Sequence, residues 1–258
     1  MLYLMLDTNI WIYIAKGEHP NVIDQILEGV KKNELSVLSN EVITKEWQRN
    51  KESVLHDSHK KIEARFNNLV SAAKSIQEFL TDDEKKSFGS LIDSFKKDKT
   101  KEYEKANKLV EQVNELILRK SVQTRITVEM KLAVINRGLE KKAPFIHKNN
   151  SIGDALILMS TINYLKDKQL GYNVVNLVFI SNNTDDYCNA KRGEGSNEFN
   201  NDLNDLIGGI NVQFSRNIAE ALKFAPKLIE EINEFWAWAH QQYYVNHESE
   251  DDMTYDDY

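Results

Sequence analysis

The chain has one cysteine, Cys188, in 258 residues. That excludes an internal disulfide and a cysteine-based zinc site, and a reducing cytoplasm is the expected setting. Proline is scarce too, and none lies between Pro20 and Pro144, which leaves that stretch open to long helices. There is no apolar run of about 18 residues, so no membrane-spanning helix is expected. The apolar opening has no basic flank and meets Asp7 at once, which argues against a secretory leader. No internal repeat is visible.

What remains is the composition of a soluble protein, 41% hydrophobic and 28% charged. The length suits one large domain, or one domain with an elaboration. The net charge of −7 is unevenly spread. Residues 1–44 carry −3, residues 45–150 carry +7, and residues 151–258 carry −11. A polyanion would meet the basic middle. Long solvated helices also carry lysine for no other reason, and both readings stand.

Leu2 to Leu6 is apolar without alternation, the mark of a strand covered on both faces, as in parallel α/β sheets. Ile10 to Ala15 and Val22 to Val30 read as short helices separated by Gly17 and Pro20. Leu35 to Leu38 reads as a second strand. Ser39-Asn40 then offers a cap for a helix beginning at Glu41. From Trp47 to Arg137 apolar residues recur at helical spacing among many charges, which predicts two to four long helices arranged as an antiparallel hairpin. Thr81-Asp82-Asp83-Glu84 marks a helix start within it. Ala155 to Lys166 reads as a helix, Asn173 to Ile180 as a strand, and Ile210 to Phe214 as an edge strand. A helix rich in Trp and Tyr follows from about Ile218 to Tyr244, and the acidic tail from Glu248 is expected to be disordered.

Four acids fall at element ends: Asp7 after the first strand, Glu46 in the helix after the second, Asp154 at a helix start, and Asp186 (or Asp185) after the strand ending at Ile180. In a parallel sheet they share one edge, where α/β sheets bind ligands. Clustered carboxylates repel and raise one another's pKa unless a cation joins them. Oxygen ligands select a hard divalent ion, Mg²⁺ or Mn²⁺, and such a site suits phosphodiester hydrolysis. Each acid also has a plain structural role. Ser151-x-x-Asp154 can be a capping box, Glu46 a helix-surface acid, and Asp185 and Asp186 members of a turn. Asp7, directly after a buried run, is the hardest to explain as surface.

The segments Leu6-Asp7-Thr8-Asn9, Glu46, Gly153-Asp154-Ala155-Leu156-Ile157 and Phe179 to Tyr187 resemble, in order, the motifs of PIN domains. The resemblance implies an α/β, three-layer fold with a central, mostly parallel sheet of about four to five strands and a metal-dependent ribonuclease activity. It implies Asp7, Glu46, Asp154 and Asp186 as catalytic and metal-holding residues. Thr8, Asn9, Ser181, Asn183 and Asp185 would support them. Asn183 stands where many members carry an acid, which bears on a second metal. The stretch from Arg137 to Ile157 is similar to a bacterial PIN-like branch with a long helical insertion. It is unlike the compact toxin type, because 107 residues separate Glu46 from Asp154. The expected organisation is a core of residues 1–46 and 137–215, a helical insertion over 47–136, a C-terminal helix over 216–247 and an acidic tail over 248–258.

Lys148 and Arg137 are candidates to contact a scissile phosphate; an ion pair of Arg137 with Glu140 or Glu129 is the alternative. Lys96 to Lys101 is either a phosphate contact or a polar loop. His56 and His59 form a metal pair or two surface histidines. Trp236, Trp238, Tyr243 and Tyr244 suit core or dimer packing better than base stacking. The expectation is a cytoplasmic, Mg²⁺- or Mn²⁺-dependent nuclease acting on RNA, with no membrane partner. An antitoxin or regulatory protein, and a homo-oligomer through the aromatic helix, are its expected partners. A non-catalytic PIN-fold binding or assembly module and a structure-specific DNA nuclease are the rivals. Toxin, defence and RNA-processing roles look alike at this level.

Overall fold

A computed structural model describes residues 1–19, 21–77, 79–145, 151–168, 176–183, 187–188 and 199–222, with isolated helical residues between 229 and 241. Five strands form one sheet in the order β3-β2-β1-β4-β5. They are β1 (Leu2–Leu6), β2 (Leu35–Asn40), β3 (Val122–Thr124), β4 (Asn176–Ile180) and β5 (Asn211–Ser215). Every pairing is parallel. The helices are α1 (Thr8–Ala15), α2 (Val22–Lys31), α3 (Glu41–Gln77), α4 (Asp82–Glu115), α5 (Val128–Leu139), α6 (Ile152–Lys168) and the short α7 (Asn204–Ile207).

The order fixes the layers. Steps from β1 to β2 and from β2 to β3 move one way, so right-handed crossovers place α1 to α4 on one face. The step from β3 to β4 moves the other way and places α5 and α6 opposite. Contacts agree: α1 and α2 touch α4, while α5 packs on α6. Leu2, Leu4, Met5 and Leu6 are consequently buried on both faces of β1. In α6, Ala155 to Ile162 are buried all round, as expected of a helix held between a sheet and an outer helix.

Neither glycine nor proline interrupts the 37 residues of α3. Its contacts with α4 run in opposite order along the two helices: Trp47 Nε1 donates to Asn114 Oδ1, Lys51 pairs with Glu111, and Glu63 accepts from Tyr103 and Lys99. The pair is therefore an antiparallel hairpin. Glu84 reaches back to the Thr81 backbone N–H at 2.8 Å, as the turn motif predicts. Lys96 to Lys101 lie within α4 and not in a loop.

The segment 47–136, expected as a helical insertion, shares the main core. Trp47, Val54, Val110, Val113 and Leu116 belong to the main core, and β3 extends the sheet through its pairing with Leu38 to Asn40. The sequence reading missed β3 because three residues, Val-Gln-Thr, carry no readable period. The start of the strand expected at Asn173, most of the aromatic helix and the acidic tail lie outside the described residues. No helix among the described residues is long and apolar enough to cross a membrane.

Candidate active site

Strand order reverses direction between β1 and β4, the switch point at which α/β sheets open a crevice beyond their carboxyl ends. Asp7 stands there. Its N–H donates to Ile180 O at 2.9 Å, so the β1–β4 pairing continues one residue past the strand and sets Asp7 beside Ser181. The Asp7 backbone turns at φ −60°, ψ 152°, and its carbonyl accepts from Ile10 N at 3.0 Å to start α1. The carboxylate is only 4% exposed. Burial pushes its pKa above the usual range, and the nearby charge of Glu46 pushes the same way. The Ser181 hydroxyl and the backbone N–H groups of Thr8 and Asn9 oppose them.

Glu46 arrives from α3, whose first turn lies over the carboxyl edge. Asn40, the last residue of β2, caps that helix: its Oδ1 accepts from Val42 N at 3.0 Å and Ile43 N at 3.1 Å. Glu46 Oε2 accepts from Thr8 Oγ1 at 2.6 Å, which ties the acid to the residue next to Asp7. On its other side is the start of α6. A Cβ added to Gly153 would sit 3.5 Å from both Glu46 Oε1 and Val42 Cγ1, ordinary contact, so the helix backbone itself comes close to this carboxylate.

Asp154 lies in the first turn of α6. Its Oδ2 accepts from Asn183 Nδ2 at 2.8 Å, and its carbonyl accepts from the Tyr187 hydroxyl at 3.0 Å. Tyr187 is fully buried with its ring edge-on to Phe179, 5.0 Å away. Ser181 closes the circuit: its hydroxyl donates to Asp7 Oδ2 at 2.9 Å and accepts from Asn183 N at 3.0 Å. Asp7 and Glu46 are thus neighbours, Asp154 is joined to Asp7 through Asn183 and Ser181, and Thr8, Ser181 and Asn183 each supply one carboxylate with a neutral donor. Asn9 contributes a backbone N–H while its side chain is exposed. Asp185, Asp186 and Lys148 lie outside the described residues.

Two expectations change. Arg137 is engaged within the protein through its guanidinium. It is 7% exposed, and its guanidinium donates to Ala143 O at 3.0 Å, to both carboxylate oxygens of Asp205 at 3.0 and 2.8 Å, and to Asp202 O. Its partner is Asp205 on α7, not Glu129 or Glu140. His59 Nε2 bonds Asn107 Oδ1 at 2.9 Å and its ring lies 4.7 Å from that of Tyr103, so it packs the hairpin. His56 is exposed. Of the aromatic cluster only Trp238 is described, and it is exposed.

Sequence reasoning missed a second polar network at the same edge. Asn40 Nδ2 donates to Ser160 Oγ at 3.0 Å, and Thr124 Oγ1 donates to Ser160 Oγ at 3.0 Å. All three side chains are buried. The network joins β2, β3 and α6, and through the Asn40 cap it links α3, which carries Glu46, to α6, which carries Asp154. Polar residues closing two adjacent strands, at Asn40 and Thr124, were its only sequence signal.

Among the described residues no group of three His, Cys, Asp or Glu side chains converges closely enough to hold a metal. The donor set nevertheless fits a hard divalent cation: its acids offer oxygen only. Asp7 is buried against a second carboxylate, and neither it nor Glu46 is paired with a described lysine or arginine. A family model described as PIN domain matches residues 4–187. No curated protein and no solved structure matches the chain.

Proposed function

This chain belongs to the PIN domain family, and from that premise we propose that it is a nuclease dependent on Mg²⁺ or Mn²⁺ that hydrolyses phosphodiester bonds, with RNA as its substrate. Members of the family are generally nucleases and typically bind divalent metals. The observation that carries the reading is Asp7: a carboxylate 4% exposed, at the topological switch point, beside Glu46 and without a described cationic partner. A carboxyl group is poor core material there, and a cation would relieve both its burial and its repulsion.

Asp7, Glu46 and Asp154, together with Asp186, would hold the ion. When bound, it supplies a lowered pKa for a coordinated water and neutralises charge on the phosphate. The protein's own part is orientation. Thr8 fixes one oxygen of Glu46, Ser181 fixes one of Asp7, and Asn183 fixes one of Asp154. Neutral donors suit this task, since lysine or arginine in their place would compete with the ion.

The test is cleavage of a labelled single-stranded RNA with Mn²⁺, for wild type and Asp7→Asn, with single-stranded and flapped duplex DNA in parallel. Loss of RNA cleavage in a folded variant is the expected result. Equal cleavage by both proteins removes Asp7 from the chemistry, and preference for the flapped duplex makes the enzyme a DNA nuclease. One observation favours a second reading, a PIN-fold binding module without catalysis: the amide of Asn183 holds Asp154 where an acid would add a ligand. Wild type that shows no heat of Mg²⁺ or Mn²⁺ binding by calorimetry would select it.

A further inference from the structure

Four basic residues lie on the segments that leave the carboxyl ends of β2 and β3. Lys45 and Arg49 are on α3, Arg125 follows β3, and Lys131 is on α5. Two of them are engaged with one acid: Lys45 pairs with Glu41 at 2.7 Å and Lys131 reaches the same carboxylate at 3.8 Å. Arg49 and Arg125 differ. Both are exposed, and neither makes an ion pair or hydrogen bond with a described residue. The acid that feels Arg125 is Glu129, whose carboxyl is held low first by the Thr127 hydroxyl and only weakly by the arginine.

Their placement is set by the fold. Arg49 follows Glu46 by one turn of α3, about 4.5 Å along the axis and on the same side of the helix. Arg125 follows Thr124, which pairs with Asn40 at the strand ends. β3 lies two places from β1 in the sheet, about 10 Å at ordinary strand spacing. Two or three backbone phosphates span such a reach, at about 3.4 Å per stacked nucleotide and more when extended. Asp7 and Glu46 repel a polyanion, so a strand needs fixed positive charge beside them to be held there. Guanidinium groups suit this, since their planar forks grip phosphate oxygens in pairs. Arg137 has its donors committed elsewhere.

We propose that Arg49 and Arg125 bind successive backbone phosphates of a single-stranded nucleic acid, so that the strand reaches the acids across the β2–β3 half of the sheet edge. The inference rests on the nuclease reading above and deepens it. Base identity plays no part, because both contacts are to the backbone.

The test is fluorescence anisotropy of a labelled single-stranded RNA, and of the DNA of the same sequence, with EDTA present to prevent turnover. Wild type, Arg49→Gln, Arg125→Gln and the control Arg65→Gln are titrated over a range of salt. Arg65 is exposed on α3, about 28 Å beyond Glu46. Arg49→Gln and Arg125→Gln are each expected to lower the slope of log K against log salt by about 0.7, equivalent to roughly 5-fold weaker binding at 0.1 M salt relative to 1 M. Arg65→Gln is expected to change neither. A loss on both RNA and DNA supports the contact as a backbone contact; a loss on RNA alone supports it with RNA as the ligand. Unchanged slopes in both of these variants, or an equal loss in the control, overturn the proposal while the nuclease reading stands. Failure of wild type to bind either nucleic acid overturns both.

Discussion

Thr8 Oγ1 donates a 2.6 Å hydrogen bond to Glu46 Oε2 and so joins the first turn of α1 to the helix that follows β2. The residue beside the first acid thereby orients the second. Thr8→Val keeps the shape and removes the donor. Glu46 is only half-buried and can recruit water, so the stability loss should stay near 0.5–1.5 kcal/mol, read from urea midpoints. Thr8→Ser should restore both stability and turnover. A Val variant with wild-type kcat would show that this hydrogen bond does not serve the chemistry.

The raised pKa of Asp7 predicts a pH dependence with a definite sign. A carboxyl whose folded-state pKa lies above its unfolded value holds its proton more tightly when folded. Stability is then greatest at low pH and falls as pH rises from the unfolded pKa, about 3.9, through the folded one. In EDTA, the stability of wild type minus that of Asp7→Asn should decline as pH is raised over that window and then level off. The other carboxyl groups are common to both proteins and cancel to first order. A difference that stays flat from about pH 4 to about pH 8 would mean that Asp7 is not strained by burial. At neutral pH, Mg²⁺ should raise the melting temperature of wild type more than that of the variant.

Asn40 carries three bonds, two to the first turn of α3 and one to Ser160. Asn40→Ala removes a helix cap and one bond to the buried Ser160 hydroxyl, which keeps Thr124 and the Ile157 carbonyl as partners, a cost of about 1–3 kcal/mol. Asn40→Ser restores an acceptor for the helix N–H groups but not the reach to Ser160, so it should recover part of the loss. Equal midpoints for the two variants would show that the cap carries none of the cost.

How much of this was legible in the sequence depends on the range of the interaction. The run Leu2 to Leu6 ending in Asp7 is local, and it identified a buried parallel strand and its acid. Asn40 before Glu41, and Thr81 before Glu84, are local too, and both caps are present. Arg137 was misread for the opposite reason. Its partner Asp205 is 68 residues away, and an exposed arginine and a buried one look the same in a string of letters. β3 escaped because three residues cannot show a period. The Asn40–Ser160–Thr124 network escaped because its members meet only once three elements pack. The fold followed from pattern and resemblance together, whereas side-chain duties at the site followed only from packing.

Asn183 offers the sharpest test of what the cluster is for. Its amide donates to Asp154 Oδ2 at 2.8 Å. Asn183→Asp replaces that donor with a carboxylate at the same place, next to Asp154 and two residues beyond the buried Ser181. Two carboxylates at such a distance cannot both ionise cheaply, so without a cation the variant should melt below wild type, and the deficit should grow as pH rises above the carboxyl range. Added Mn²⁺ should reverse the order, because the new carboxylate supplies a further hard ligand and the ion removes the repulsion. Calorimetry should then report tighter binding, or a second equivalent of metal. If Mn²⁺ leaves the deficit in place, Asp154 and Asn183 do not face an ion, and the bond between them is structural.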